Sequence, residues 1–241
     1  MSMFHSPSDV NMSSNLANQF DLKDEGQAKE YLDTLGVEYR YQCYQENSPE
    51  GCHRLADFFE AFKRDYQKAL TVYNKNCSEN KYGHSCFKVG NYKLLGRGCD
   101  KDFPEALKFH NLGCDYGHSP SCHNAGLLCS SKKLQDEPDF KGALNFFEKG
   151  CEAGDVPCCS MVSNFFITGK PGIAKDMKKA FDFASKACDQ GHMYACANLS
   201  IMYKKGDGVT ASEEMAQKFK DKAKQLQKEV VVSEAQMKFG Q

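Results

Sequence analysis

The sequence has no tryptophan, no Cys-x-x-Cys, no excess of either charge and no long apolar run. Each absence excludes something. Without a run of about 18 apolar residues there is no transmembrane helix. With 31 Lys+Arg against 32 Asp+Glu, the net charge of −1 argues against a nucleic-acid binder, which carries a basic excess. Without Cys-x-x-Cys, neither a structural zinc site built of close cysteine pairs nor a thioredoxin-like redox motif is favoured. No window alternates apolar and polar residues for long, so strands are not expected. A serine β-lactamase needs Ser-x-x-Lys with Ser-Asp-Asn and Lys-Thr-Gly. The first occurs twice, at Ser78 with Lys81 and at Ser130 with Lys133, both in expected turns, and the other two are missing. Mean hydropathy is −0.61 with 41% hydrophobic residues, lean for one core in a chain of 241 residues but suited to a thin stack.

What the sequence does have is 13 cysteines, ten of which form a ruler. They fall into five pairs: Cys43 and Cys52, Cys77 and Cys86, Cys114 and Cys122, Cys151 and Cys159, Cys188 and Cys196. The first two pairs are nine residues apart and the last three are eight apart; the leading members step by 34, 37, 37 and 37. Such spacing marks an internal repeat whose units are joined by the same covalent staple. Other columns keep the register. Alanine precedes four leading cysteines by eight (Ala69, Ala106, Ala143, Ala180), and Val72, Phe109, Phe146 and Phe183 precede them by five. After the trailing cysteines come Leu55, Val89, Ala125, Val162 and Leu199, then the small residues Ala56, Gly90, Gly126, Ser163 and Ser200. The small column is expected to let two helix backbones approach closely. In the last unit Ala216 and Phe219 continue the columns, but Lys224 stands at the cysteine position, where no further helix follows.

Apolar residues recur three and four apart, as in helices. The fold class expected is all-α, a right-handed solenoid of helix-turn-helix repeats in which each unit buries its apolar stripe against its neighbours. The boundaries expected are a disordered segment over 1–25 and a solenoid over 26–228. Within it lie a cap at about 26–46 and repeats at about 50–77, 84–116, 120–151, 157–190 and 193–228. A flexible, weakly extended tail is expected over 229–241. A cysteine ending one helix and one in the first turn of the next can reach the ~5.5 Å Cα separation of a disulfide. Buried free cysteines and a zinc site are the weaker readings of the same pairs. Cys99, Cys129 and Cys158 remain as free thiols. Cys129 shares its position with Phe59, Phe166 and Tyr203, a core column. Cys158 adjoins Cys159 and could compete for Cys151, and Cys99 lies near Arg97 and Lys101.

Disulfides require an oxidising compartment. Residues 1–18 lack the basic and apolar regions of a signal peptide and do not resemble an Arg-rich presequence. Of the Asn-x-Ser sequons Asn11, Asn76 and Asn198, the latter two sit at or in expected helices, which disfavours a glycosylating route. The mitochondrial intermembrane space fits both facts.

Two stretches carry a resemblance. Ala195–Val209 (Ala-Cys-Ala-Asn-Leu-Ser-x-Met-Tyr-Lys-x-Gly-Asp-Gly-Val) and Lys179–His192 resemble Sel1-like repeats, and the likeness covers roughly residues 26–228. The cysteine-ruled subtype is similar to secreted bacterial cysteine-rich Sel1 proteins, whose family label mentions β-lactamase. It is also similar to the mitochondrial family of cytochrome c oxidase assembly factor 7. Residues 41–44, 48–52, 122–128 and the terminal Phe239-Gly240 look like the latter. That resemblance implies a non-enzymatic scaffold of the intermembrane space supporting cytochrome c oxidase assembly, with no catalytic and no metal-ligating residues. Its partners would be oxidase subunits, other assembly factors and the disulfide relay of import, and a monomer is expected. Two rivals are kept: a thiol–disulfide redox or haem-delivering factor, and a secreted interaction protein. Haem would be the one cofactor, held non-covalently by histidine and methionine, although His53 and His123 are expected to face partly outward and His118 and His192 to serve as turn residues.

Overall fold

The computed structural model describes residues 20–239, with side chains as far as Glu229. Most of the segment expected to be disordered, residues 1–19, lies outside the described residues. Among the described residues there are eleven helices and no strand beyond an isolated bridge between Lys170 and Ile173. They group into two compact units, one ending at Asn80 and the other beginning at Lys81.

The first unit holds α1 (Glu25–Tyr44), α2 (Pro49–Ala61) and α3 (Tyr66–Glu79). α1 packs on α2, and α2 on α3. The second unit holds α4 (Gly83–Leu95), α5 (Phe103–Asp115), α6 (Ser119–Cys129), α7 (Phe140–Glu152), α8 (Val156–Thr168), α9 (Met177–Asp189), α10 (Met193–Lys205) and α11 (Glu213–Phe239). Each of these packs on its neighbour in the chain, with lesser contact to the helix after next, the pattern of a stack of pairs.

The sequence dictates where each pair begins and ends. The second helix of successive pairs is capped by Asp65, Asp102, Asp139 and Asp176, whose carboxylates accept the amides of Lys68, Glu105, Gly142 and Lys179 at 2.9–3.0 Å. Ser212 does the same for Met215 at α11. Such caps satisfy amides that the first turn leaves unpaired. The turn into the next pair needs a left-handed residue, and glycine supplies it: Gly117 (φ 82°), Gly154 (φ 88°) and Gly191 (φ 85°). The amide after each glycine then bonds back across the turn, as from His192 to the Ala187 carbonyl at 2.9 Å.

The repeat columns are the core. Ala69, Ala106, Ala143 and Ala180 have no solvent exposure, and Leu55, Val89, Ala125, Val162 and Leu199 have almost none. The C-terminal segment departs from expectation. α11 continues to Phe239, where the sequence reading ended the helix near 228 and expected an extended tail. From Glu213 to Phe239 there is neither glycine nor proline, and Glu, Lys, Gln and Ala dominate. Val230–Val232 favours strand locally, but three residues do not stop a helix already propagating through good helix formers.

Candidate functional site

The joints between pairs bring the predicted cysteines together. Within the first unit Cys43 and Cys52 lie at bonding distance with Cα atoms 4.3 Å apart. Within the second, Cys114 is bonded to Cys122, Cys151 to Cys159 and Cys188 to Cys196, with Cα separations of 4.6–4.7 Å. Cys77 and Cys86 are also disulfide-bonded cysteines. Each bridge within the second unit links the last turn of one helix to the first turn of the next across a glycine turn. Cys122, for example, is buried in the first turn of α6, and its partner Cys114 is buried in the last turn of α5. The geometry is local, so each closes a loop of eight residues. The chain-entropy model assigns about 2.5 kcal/mol to such a loop. Replacing Cys188 and Cys196 together with serine is expected to lower the unfolding free energy by about that amount. Urea denaturation of oxidised protein checks it; an unchanged midpoint would mean the joint holds by packing alone.

The three remaining cysteines are set apart. Cys129 is buried in α6, and burial raises its pKa to about 11, with Asp139 adding to the effect. Cys158 is fully buried, and burial followed by Asp155 pushes its thiol well above the ordinary range. Cys158 does not displace Cys159 from Cys151. Its sulfur lies over Gly150 instead, 2.4 Å from where a β-carbon on Gly150 would sit. The bridged Cys122 borders the same glycine, with its Cβ 3.1 Å from that position. The register position of Cys158 holds Ser121 and Ala195 in other pairs, both buried, and Ser121 likewise crowds Gly113. Cys158 therefore occupies a site for any small residue. Cys158→Ala is expected to change stability by no more than about 1 kcal/mol and to leave every bridge intact in a non-reducing peptide map. Cys99 is half-buried, its Sγ 3.7 Å from the Tyr92 carbonyl.

The small column accommodates whatever faces it across the helix pair. Gly126 makes room for the ring of Phe147, which would lie 2.5 Å from a β-carbon there, and Gly90 makes room for the ring of His110 at 2.7 Å. Where the column holds serine, the opposing position holds no ring. Ser163 Oγ donates to the Ala180 carbonyl at 2.8 Å, and Ser200 Oγ to the Ala216 carbonyl at 2.7 Å. The opposing residues, Tyr73, His110, Phe147, Ala184 and Lys220, form a register column that the sequence reading passed over. It lies four residues after the alanine column, so aligning the units would have exposed it.

His110 is the residue of interest in that column. It has no solvent exposure, and among the described residues neither ring nitrogen has a hydrogen-bond partner. Burial, and secondarily the neighbouring His118, lowers its pKa to about 4. Phe87 packs edge-on against it and also contacts His118, which in turn meets His84. The histidines named from the sequence are engaged elsewhere. His118 is the N-cap residue of α6, its Nδ1 2.9 Å from Ser121 Oγ. His192 Nδ1 accepts the Ala195 amide at 3.3 Å and so caps α10, and burial lowers its pKa. His53 Nε2 lies 3.6 Å from Asp57, and His123 packs near Phe147. Tyr73 donates its hydroxyl to Asp57, with Glu60 3.0 Å away. Asn76 is buried and donates to the Pro49 carbonyl at 2.8 Å, so its sequon is inaccessible in the folded chain. No group of three or more His, Cys, Asp or Glu among the described residues could hold a metal ion.

The Sel1 repeat model matches residues 83–118, 119–155, 156–192 and 194–226, each one helix pair of the second unit. A solved Sel1 repeat protein from Oxalobacter formigenes superposes with a TM-score of 0.66 at 22% identity, covering 92% of this chain and 91% of that one. The all-α solenoid class of Sel1-like repeats is thereby shown. Among curated proteins, cytochrome c oxidase assembly factor 7 of Xenopus tropicalis is 39% identical over 231 residues, 94% of this chain and all of that protein. The chain belongs to the cytochrome c oxidase assembly factor 7 family. The match to the family's Drosophila melanogaster homolog is 44% identical over 121 residues and spans 46% of that protein. The human member is 37% identical over 126 residues, 54% of its length. The pair α2–α3, outside the stretches matched by the repeat model, falls in line with the later pairs through its cysteine and alanine columns.

Proposed function

We propose that this protein is a non-enzymatic scaffold for cytochrome c oxidase assembly in the mitochondrial intermembrane space. The observation that carries this reading is the likeness to the Xenopus tropicalis assembly factor over that protein's whole length. Five cysteine pairs support the compartment, because bridges at every joint need oxidising conditions on folding. In this reading Cys77 and Cys86 pair with each other, import depends on the disulfide relay, and the clients are oxidase subunits or other assembly factors. Repeat stacks present side chains of successive helices at fixed spacing, which suits a protein that binds proteins.

A thiol–disulfide role is the less favoured reading. It needs an attacking thiol of low pKa, and burial pushes Cys129 and Cys158 the other way. The test is depletion of the protein followed by native-gel and activity measurement of cytochrome c oxidase, with re-expression as control. Loss of assembled oxidase, restored on re-expression, is expected. Protease protection in mitochondria with a ruptured outer membrane reports the compartment. Normal oxidase on depletion would overturn the function, and protection after rupture would overturn the location.

A further inference from the structure

The last helix pair of the second unit ends in an open groove of about 520 Å³ between α10 and α11. Its floor is apolar, with Tyr194, Ala197 and Ile201 on α10 and Ala223 on α11. Tyr194 and Ile201 are 68% and 51% exposed. Its rim carries Lys204, Lys220 and Lys224, and none of the residues lining it is acidic.

The repeat register says what shape this groove accepts. One pair earlier, the positions of Lys220, Ala223 and Lys224 are Ala184, Ala187 and Cys188, all without solvent exposure. Ala184 lies opposite Ser163 within its own pair, while α10 packs on α9 and is bonded to Cys188 through Cys196. The position of Ile201 corresponds to Asn91 of α4, where the next pair's first helix arrives and Asn124 of α6 bonds it at 3.2 Å. The groove is therefore the seat of a helix, repeated once more than the described residues have helices to fill it. In this last seat the cysteine position has become Lys224, and the variable position of Tyr73, His110, Phe147 and Ala184 holds Lys220, so a copy of the chain's own next helix is not what it suits. Neither Lys204, Lys220 nor Lys224 has an ion-pair partner among the described residues. α11 also runs about four turns beyond the point where α9 ends, ~20 Å at 1.5 Å per residue, and lengthens that wall.

We propose that this groove seats one acidic amphipathic helix of a partner protein. The helix lays small and apolar side chains on Tyr194, Ala197, Ile201 and Ala223 and sets carboxylates against the three lysines. This is a helix-in-groove mode, with charge setting the choice of partner more than the strength of binding. The proposal deepens the scaffold reading and rests on it, since it supplies that reading with a face and a class of ligand.

The probe is a fluorescein-labelled, stapled 15-residue helix of Leu, Ala and Glu. Its control is the analogue in which Lys replaces Glu. Fluorescence anisotropy with the full, oxidised chain is expected to show micromolar binding of the acidic probe and at least tenfold weaker binding of the basic one. The affinity should fall with added salt. Lys220→Glu with Lys224→Glu, and separately Ile201→Asp, should each weaken the acidic probe at least tenfold with the thermal midpoint kept. Equal binding of both probes, or binding indifferent to these substitutions, would overturn the proposal. So would sedimentation velocity showing a dimer that Ile201→Asp dissolves, because the occupant would then be a second copy. Binding by the probe with normal oxidase after depletion would spare the groove and sink the assembly role. Failed binding with lost oxidase would do the reverse.

Discussion

Phe147→Ala is expected to lower the unfolding free energy by about 4 kcal/mol, within the usual range for a buried phenylalanine. The ring has no solvent exposure, meets Phe165 edge-on at 5.6 Å between centroids, and fills the space left by Gly126. Truncation leaves a void that flanking helices, tied through Cys122 at one joint and Cys151 at the next, cannot collapse into. The structure also offers a remedy. One pair later the same two positions are Ser163 and Ala184, and the serine bonds the Ala180 carbonyl. Gly126→Ser alone should be destabilising, because its β-carbon would lie 2.5 Å from the ring. Combined with Phe147→Ala, the serine has room and can reach the Ala143 carbonyl, the equivalent of Ala180. The double variant should therefore be more stable than the sum of the single changes, by about 1–3 kcal/mol of coupling. Urea titrations of the four proteins measure this directly. Additive losses would show that the glycine and the ring are not a matched pair.

The second large effect belongs to His110. Its pKa falls from the ordinary 6.5 to about 4 because burial disfavours the charged ring, with His118 adding a smaller repulsion. The unfolded chain takes up a proton near pH 6.5 and the folded chain only near pH 4, so between these values the unfolded state holds more protons. Stability is then fully present above pH 6.5 and is lost as pH falls toward 4, by about 3 kcal/mol at 1.36 kcal/mol per pKa unit. His110→Phe should abolish that slope. The substitution is structurally supported, since Phe147 occupies the equivalent seat over Gly126. Chemical denaturation at pH 7.5, 5.5 and 4.5 is the measurement. The variant should gain on the wild type steadily as the pH drops. Parallel pH profiles would place the acid sensitivity in other groups.

These two sites also mark what the sequence could and could not convey. The cysteine ruler and the alanine column made the helix pairs legible, because a covalent joint and a close crossing allow few substitutes. The last repeat, read as beginning at about 193, opens with α10 at Met193. The ring seats were harder to see. Tyr73, His110, Phe147, Ala184 and Lys220 share no property, and they make sense only beside the residue each one faces. The helical tail was hard to read for a different reason, since Val230–Val232 favours strand locally within a long run of helix formers. The terminal groove was signalled by Lys224 in the cysteine column, but the floor that makes it a seat emerges only when α10 and α11 pack.

The two kinds of contact differ in where they fall along the chain. Gly126 and Phe147, Gly90 and His110, Ser163 and Ala180 each lie inside one helix pair. The cysteine joints lie between pairs and are alike in form. A gene duplication or deletion that cuts at a joint therefore keeps every matched pair together and leaves interchangeable couplings at its ends. A cut within a pair separates a ring from its seat. The molecule can lengthen or shorten over evolutionary time by whole pairs, while each pair drifts in private, free to exchange ring-and-glycine for serine-and-alanine without consulting its neighbours.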